Sequence, residues 1–431
     1  MLDIELHSRS ADTAEEALMS NTNWAGNLTY STERLHAPQS LGELQDIVRQ
    51  AKRAHAVGSR HSFTPIADTD SEQISLRHMN RLLSIDKVGQ TVTVEGGITY
   101  GQLGPALHQA GFALQNLASL STITIAGAVA TGTHGSGSAN KNLSTAVCGV
   151  KIVTGDGEIV AFNRGDADFD GVVVSLGALG VVAELTLDIQ PGFAVRQEVY
   201  TDLPFETLAA NFDDIMGSAY SVSPFHAWAG DTIGRVFVKK LATAPRLAGD
   251  FFGAKAALQP SNPLPLVDPE PVTEQMGVPG PAYLRLPHFR DEAIAPAGAE
   301  IQAEYFVSRH RAGEALRAVQ AVQHHLEKVL MIGEIRTIAA DSLWLSPAFE
   351  RDSLAFHFTC YRDWPALKAA LPAIEAALRP FEPRPHWAKV FTMTAPEVQR
   401  SYPRLPQFRA LRKQLDPQGK FGNAFIDEFI G

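Results

Sequence analysis

Five residues in the second half of the chain could do acid–base and electrostatic chemistry together. In "GEIRT", Glu334 and Arg336 stand two apart. On a strand they would share one face, about 6.6 Å apart along the axis. In "AFHFTC", His357 and Thr359 repeat that spacing, with Phe356 and Phe358 turned the other way. "PHWAKVF" adds Lys389, with His386 and Trp387 beside it. If these segments are neighbours, one face carries an acid, two cations, an imidazole and a hydroxyl, and the other is apolar. Such a face is either solvated or built for a polyhydroxylated molecule, because each buried hydroxyl left unpaired is costly.

Two further candidates lie in the first half. "AVGSRHSF" puts His61 in a turn after a short apolar stretch, flanked by Ser59, Arg60 and Ser62. Taken alone it reads as a loop histidine facing solvent. "ASLSTITIAGAVATGTHGSG", residues 118–137, is built of small residues. Gly127, Gly132, Gly135 and Gly137, with Ala126, Ala128 and Ala130 between them, would let the backbone approach a large ligand closely. Successive N–H groups in such a loop form a nest suited to a pyrophosphate. The alternative is a tightly packed, glycine-bent corner. Other signatures are missing: there is no G-x-G-x-x-G after a strand, no Walker A segment, no H-E-x-x-H and no nucleophile elbow.

The elements that must hold these residues are mixed. "PQSLGELQDIVRQAKRA" opens with Ser40 and Glu43 at capping-box spacing and continues with helical periodicity. "HAVG" and "TVTVEGG" read as strands, and "TYGQLGPALHQAG" as a helix capped by Thr99 and stopped near Gly111. "CGVKIVTGDGEIVAF" is a hairpin signal, and "GVVVSLGALGVVAELTLDI" a glycine turn followed by a strand. Without strict βαβ alternation, the expectation is α+β. After about residue 195 the composition shifts, and eight of the 26 prolines fall between Pro260 and Pro287, a long irregular segment placed to cover a site. Then come a strand ("AEIQAEYFV"), an amphipathic helix ("GEALRAVQAVQHHLEKVL"), two strands and a helix ("PALKAALPAIEAALRP"). That order suggests an antiparallel sheet with helices on one face. The last thirty residues read as short, loop-like and docked on an earlier domain.

Composition excludes several classes. A chain of 431 residues exceeds what one core usually serves, so two domains are expected. A net charge of −10 argues against nucleic acid or an anionic membrane as the main partner. No segment reads as a signal peptide or a bilayer span, and Cys148 and Cys360 are too few for a disulfide framework or a zinc site. The expectation is a cytoplasmic protein with no metal.

In order along the chain, the "VGSRHSF" turn, the "AGAVATGTHGSG" loop, "SLGALGVV", "EIR", "HWAK" and "DPQGKFGNAF" resemble the vanillyl-alcohol-oxidase superfamily of flavoproteins. Within it the chain is similar to the alditol oxidases, which act on xylitol and sorbitol, from about Asn21 to the C-terminus. "HWAK" and the E-x-R pair are shared with sugar-lactone oxidoreductases, so they mark the branch better than the substrate. The resemblance implies a two-domain α+β architecture: a PCMH-type FAD-binding domain (1–195), an antiparallel-sheet cap domain for substrate (196–399) and a return to the first domain (400–431).

For the cofactor, the resemblance implies FAD attached covalently at His61, where a neutral imidazole is a competent nucleophile. Relatives with a second, cysteinyl link carry it before the glycine-rich loop. Residues Leu117 to Ser121 contain no cysteine, so a single link is expected. Ser59, Arg60, Ser62, Ser119, Gly127, Thr131, Gly132, His134, Gly135 and Gly137 would line the flavin and its pyrophosphate. Gly177, Gly180 and Val181 would pass the adenosine half, and Asn423 with Phe425 would close the pocket.

Substrate would lie between Ser119 and the sheet carrying Glu334, Arg336, His357, Thr359 and Lys389. The implied reaction oxidises the terminal primary alcohol of an alditol to an aldose, with dioxygen reduced to hydrogen peroxide. Arg336 and Lys389 would stabilise the developing alkoxide, Lys389 being the better base because guanidinium stays protonated. Glu334 would bind a hydroxyl or hold the cations, and His357 and Thr359 would bind hydroxyls further along. An aldonolactone oxidase or dehydrogenase, and a flavin carrier without turnover, are the alternatives. The expected partners are a small polyol and dioxygen, and the expected assembly is a monomer.

Overall fold

The computed structural model describes residues 21–245, 250–293 and 298–431. Residues 1–20, for which the sequence suggests no role, lie outside the described residues. The described chain is α+β and built on three main sheets. Leu35–His36, Glu72–Ser75 and Ala54–Val57 form a small parallel sheet in that spatial order. A five-stranded antiparallel sheet follows, ordered Leu82–Asp86, Thr91–Glu95, Val181–Asp188, Val147–Val153, Ile159–Asn163. Nearly all of the chain from residue 194 to 361 that forms strands belongs to one ten-stranded antiparallel sheet.

Three central strands of that large sheet position the polar residues. Leu330–Ile338 pairs with Ser353–Tyr361, which pairs with Glu300–Ser308. The register sets Glu334 opposite His357 and His357 opposite Glu304, with Thr359 opposite Gln302 and Ile332 one step along. Because successive side chains alternate, Ile335, Phe356, Phe358, Ala303 and Tyr305 face the other way. There they pack against Leu208, Leu316, Val319, Leu367, Leu371 and Ile374 from the helices Phe205–Ala210, Ala312–Ala321 and Trp364–Leu378. At roughly 1.5–3 kcal/mol for each large apolar side chain buried, this face holds the sheet rigid while the other is left to chemistry.

Most short-range readings match. The helix Tyr100–Gln109 carries a full capping box between Thr99 and Gln102, and the chain leaves it through Gly111 at φ +87°, a conformation that favours glycine. Three readings change. Ser40 caps Leu41–Gln50 by accepting the Glu43 N–H, but the Glu43 carboxylate reaches back to the Gln39 N–H, one residue before the cap. The amphipathic helix expected through Leu330 stops at Ala321 and tightens into a 3₁₀ turn at Gln323–His325, because Leu330 must already pair with Cys360. The C-terminal region is helical rather than loop-like, with helices Ala395–Ser401, Leu405–Leu415 and Ala424–Phe429. Leu405, Phe408, Leu411, Phe425, Ile426 and Phe429 join the core that also holds Val92, Val150 and Leu185 of the five-stranded sheet.

Candidate active site

The two groups of candidates, remote in sequence, face each other across one cavity of about 320 Å³. Two further cavities measure about 20 and 10 Å³, room for roughly one water each. One wall is the polar sheet face, with Gln302, Glu304, Glu334, Arg336, His357 and Thr359; Lys389, expected on the sheet, joins them instead from the turn that follows the short strand Arg384–Pro385. The opposite wall is made of small residues, including Gly58, Ser59, Ala118, Ser119, Gly127, Ala128 and Thr131, with Arg60, His61 and Ser62 at one edge. Asn262, Pro263, Leu264 and His288 bring the proline-rich segment over the cavity, as its composition suggested.

The His61 turn and the Lys389 turn are stapled together. Phe63 N–H donates to the Ala388 carbonyl at 2.7 Å, and Thr64 Oγ1 donates to the Trp387 carbonyl at 2.7 Å. His61 stacks on Trp24, with ring centroids 4.9 Å apart and planes 19° from parallel. Its Nδ1 donates to the Ser59 carbonyl at 2.9 Å, while Nε2 is buried with no hydrogen-bond partner among the described residues. Burial, helped by the nearby Lys389 charge, lowers the imidazole to about 4. The ring is therefore neutral near pH 7 and keeps a free lone pair, the state a nucleophile needs.

On the sheet wall the charges are matched. Glu334 accepts from Arg336 and, at 2.9 Å, from His288 Nε2. Burial would raise its carboxyl, but Arg336 and His288 outweigh that and hold it well below the usual carboxylate range. Glu304, 2% exposed, lies 3.1 Å from His134 Nε2 and 3.3 Å from His357 Nδ1. Burial again opposes, and the two imidazoles again win, so Glu304 stays ionised. Lys389 Nζ donates to Gln302 Oε1, and Gln302 donates in turn to Glu300. Burial first, then Arg336, brings the Lys389 ammonium down to about 8 against the pull of Glu304. Arg336 stays cationic: burial works against it, but Glu334 and Glu304 raise it overall. Its Nε is buried with no hydrogen-bond partner among the described residues, one donor left for a ligand.

The glycine loop divides. Gly127 lies in the cavity wall, as does Gly58 of the His61 turn, which packs so closely on Thr124 that a Cβ there would meet its Oγ1 at 2.3 Å. Gly132, Gly135 and Gly137 do not line the cavity. A Cβ on Gly135 would strike the Leu117 carbonyl at 2.4 Å, and one on Gly137 the Tyr220 carbonyl at 2.4 Å. They form the packed corner that was the alternative. Gly177 packs on His55, Gly180 on the Val153 backbone, and Val181 lies in a core, all away from this cavity. Asn423 does not line it either: it donates to the Ile66 and Asp68 carbonyls, on either side of the cavity-lining Ala67, and caps the last helix. His134 does line the cavity.

Sequence reading missed several groups that the fold brings in. Glu300, Gln302 and Glu304 sit at period two in "AEIQAEYFV", a signal that was present and passed over. Trp24, His288 and Lys239 carry no local signal and arrive only through tertiary packing. His134, Glu304 and His386 also bring ligand-type atoms within 4.8 Å of one another. His386 Nδ1, however, accepts the Ala388 N–H, so the neutral ring carries its proton on Nε2 and offers no lone pair there. The set reads better as a hydrogen-bond network than as a metal centre.

A cavity of this size with one small-residue wall and one neutral, unpartnered imidazole fits a large, planar, electrophilic cofactor. Comparison with known proteins agrees. Residues 33–163 match the model of an FAD binding domain, and residues 299–429 that of D-arabinono-1,4-lactone oxidase. The alditol oxidase of Streptomyces sp. (strain IKD472 / FERM P-14339) is 43% identical over 412 residues, 95% of this chain and 98% of its own. L-gulono-1,4-lactone dehydrogenase of Mycobacterium tuberculosis is 29% identical over 95% of this chain and 99% of its own. Among solved structures, cholesterol oxidase from B. sterolicum superposes with a TM-score of 0.75 at 15% identity, covering 96% of this chain and 97% of that one. A carbohydrate oxidase from Microdochium nivale gives 0.72 at 15%, covering 97% and 95%. At that identity these two speak for the fold alone.

Proposed function

The chain belongs to the alditol oxidase family of FAD-dependent oxidoreductases, and from that membership we propose that its cavity oxidises the terminal primary alcohol of an alditol to the aldose. FAD, held along Ser59, Arg60, Ser62, Gly127 and Thr131, would supply the hydride acceptor for the alcohol carbon and the route of the electron pair to dioxygen, with hydrogen peroxide as the second product. The residues of the chain do the rest. Lys389, brought to about 8, takes the hydroxyl proton as its neutral amine. Arg336 keeps its charge and stabilises the developing alkoxide. Glu334 is too acidic to serve as the base, so it fixes Arg336 and accepts a substrate hydroxyl. His357, Thr359 and Gln302, on the same face, bind hydroxyls further along. Ser119 borders the other wall.

The unpartnered His61 nitrogen supports a single covalent link to the flavin at that residue. Ser59, Arg60, Ser62, Gly127, Thr131 and His134 would line the cofactor. A monomer in the cytoplasm is part of the same proposal, and sizing the purified protein tests the first half of it.

One observation carries the reading: Lys389, Arg336 and Glu334 face the His61 turn across a single cavity. The test is anaerobic. Acid precipitation should leave the yellow colour on the protein; xylitol should then bleach the flavin, and air should restore it with peroxide release. Colour that washes out removes the covalent link. The lactone-oxidase match over residues 299–429 supports a second reading on the same scaffold. Bleaching by an aldonolactone but not by xylitol would select it.

A further inference from the structure

Behind the polar wall lies a lysine that the proposed reaction does not use. Lys239, on the strand Thr232–Leu241, is 2% exposed and does not line the cavity. Burial, against the pull of Glu334, lowers the Lys239 ammonium to about 7, and in its charged form all three donors are satisfied, as a buried ammonium requires. Nζ donates to the Leu286 carbonyl, to the Pro287 carbonyl at 3.1 Å, and to His288 Nδ1 at 3.2 Å. His288 turns its Nε2 to Glu334 Oε1 at 2.9 Å. Its ring is held edge-on to Phe225 and Phe237, 5.5 and 5.9 Å away. Its backbone N–H donates to the Ser119 carbonyl at 3.1 Å, tying the same residue to the opposite wall.

A neutral imidazole has one donor and one acceptor nitrogen. Below about pH 7, where Lys239 is an ammonium, its contact makes Nδ1 the acceptor, and the proton is left on Nε2, aimed at the carboxylate. We propose that Lys239 and His288 are positioning residues for alditol oxidation: Lys239 fixes the His288 tautomer whose Nε2–H holds Glu334, and Glu334 then holds Arg336 at the reacting oxygen. This role rests on the reaction assigned above. It also gives the proline-rich segment a second duty, since its end is pinned by the same ammonium.

Three variants test it in the flavin-loaded protein, by anaerobic bleaching with xylitol. His288→Leu removes the donor to Glu334 and should slow bleaching about 10–100-fold in the protein that remains folded and flavin-loaded, with a lower melting temperature because Lys239 and Glu334 each lose a buried partner. His288→Gln keeps an N–H near the Nε2 position and should stay within a few fold of wild type. Lys239→Met frees His288 Nδ1. The groups facing that imidazole are Lys239 from its strand and Glu334 and Arg336 from theirs, with Phe225 and Phe237 against the ring. Burial, the larger cause of the low His288 value of about 4, stays in this variant, and losing the lysine charge removes the second cause, so the ionisation of the ring should move upward from about 4 and appear as a shifted acid limb of the bleaching rate. Adding His288→Gln to Lys239→Met should abolish that ionisation. A readout independent of turnover is the ¹⁵N spectrum of histidine-labelled protein, assigned by the His288→Gln difference, which should show Nε2 protonated and Nδ1 not. Equal rates for wild type and His288→Leu, or the opposite tautomer, would overturn the proposal. Failure of the reaction itself is distinguishable, because then the wild type would not bleach at all.

Discussion

The two walls of the cavity are built on opposite principles. The sheet wall is dense with charge, and its side chains are aligned by strand register: Glu334, His357 and Glu304 form one row and Ile332, Thr359 and Gln302 the next. The loop wall is nearly free of charge, and it works by backbone proximity and by one unpaired nitrogen on His61. The difference separates two tasks. A wall of paired, fixed dipoles stabilises charge as it develops, while a stretch of small residues such as Gly58, Ala118, Gly127 and Ala128 makes room for a large planar group. Damage to the sheet wall should therefore slow the reaction and leave the cofactor in place. Damage to the loop wall should do the reverse.

The largest effect is expected from Lys389→Met. Loss of a positioned base typically costs 10²–10⁴-fold, and about 10³-fold slower flavin reduction is expected here with normal flavin content. In the wild type the reduction rate should rise with pH through about 8 and level off above it, because only the neutral amine accepts the proton. The variant should show no such rise. A wild-type rate that is flat from pH 6 to 10 would take the base role away from Lys389. His61→Ala, on the other wall, should release all colour on acid precipitation while xylitol still bleaches bound flavin, slowed by no more than about tenfold, since no group that meets substrate is lost. A His61→Ala protein as slow as Lys389→Met would break the comparison between the walls.

The same contrast decides what could be read from the sequence. Alternation made the sheet wall legible: the two-residue spacings 334/336 and 357/359 put four residues on one face, and the register confirms that they share it. The row was extended by Gln302 and Glu304, whose spacing carried the same signal. The loop wall was legible only as an excess of small residues. Which glycine faces ligand and which packs against backbone depends on contacts with Thr124, Asn116 and Tyr220, far along the chain or across it. The C-terminal helices were missed because Leu405, Phe408 and Leu411 bury against a core assembled 200 residues earlier. His288 and Lys239 are a further case. A histidine after a proline run and a lysine on a strand say nothing until the sheet brings them within 3.2 Å.

Glu304→Gln should give an intermediate effect, expressed first in stability. Glu304 sits at the seam of the two walls, between His134 of the glycine loop and His357 of the sheet. Its carboxyl is held below the ordinary range, so its contribution to stability is complete above the unfolded value of about 4.3. That contribution is lost as pH falls toward the folded value. Removing one member of a buried pair costs up to about 3–5 kcal/mol, and the glutamine, which keeps one acceptor oxygen, should cost less. The expected result is a lower melting temperature at pH 7, with the gap to wild type narrowing below pH 4. A gap that widens in acid would mean that Glu304 is protonated in the native protein.

The smallest change expected belongs to Thr359→Val, and it tests how far along the sheet the substrate reaches. Valine keeps the shape and removes one hydroxyl from the second row. One neutral hydrogen bond contributes about 0.5–1.5 kcal/mol, so KM should rise about 2–10-fold with kcat unchanged, as for a contact made equally in ground and transition states. The second row lies about 6.6 Å from the row that carries Glu334 and His357. Arg336 lies one step further back, opposite Ala355, and reaches forward to Glu334, so a three-carbon polyol held at that contact is shorter than the step on to Thr359, whereas a five- or six-carbon chain spans it. The rise should therefore appear with xylitol and sorbitol and be absent with glycerol. If glycerol and xylitol suffer equally, Thr359 acts at the reacting end, and the two-row reading of the sheet wall is wrong.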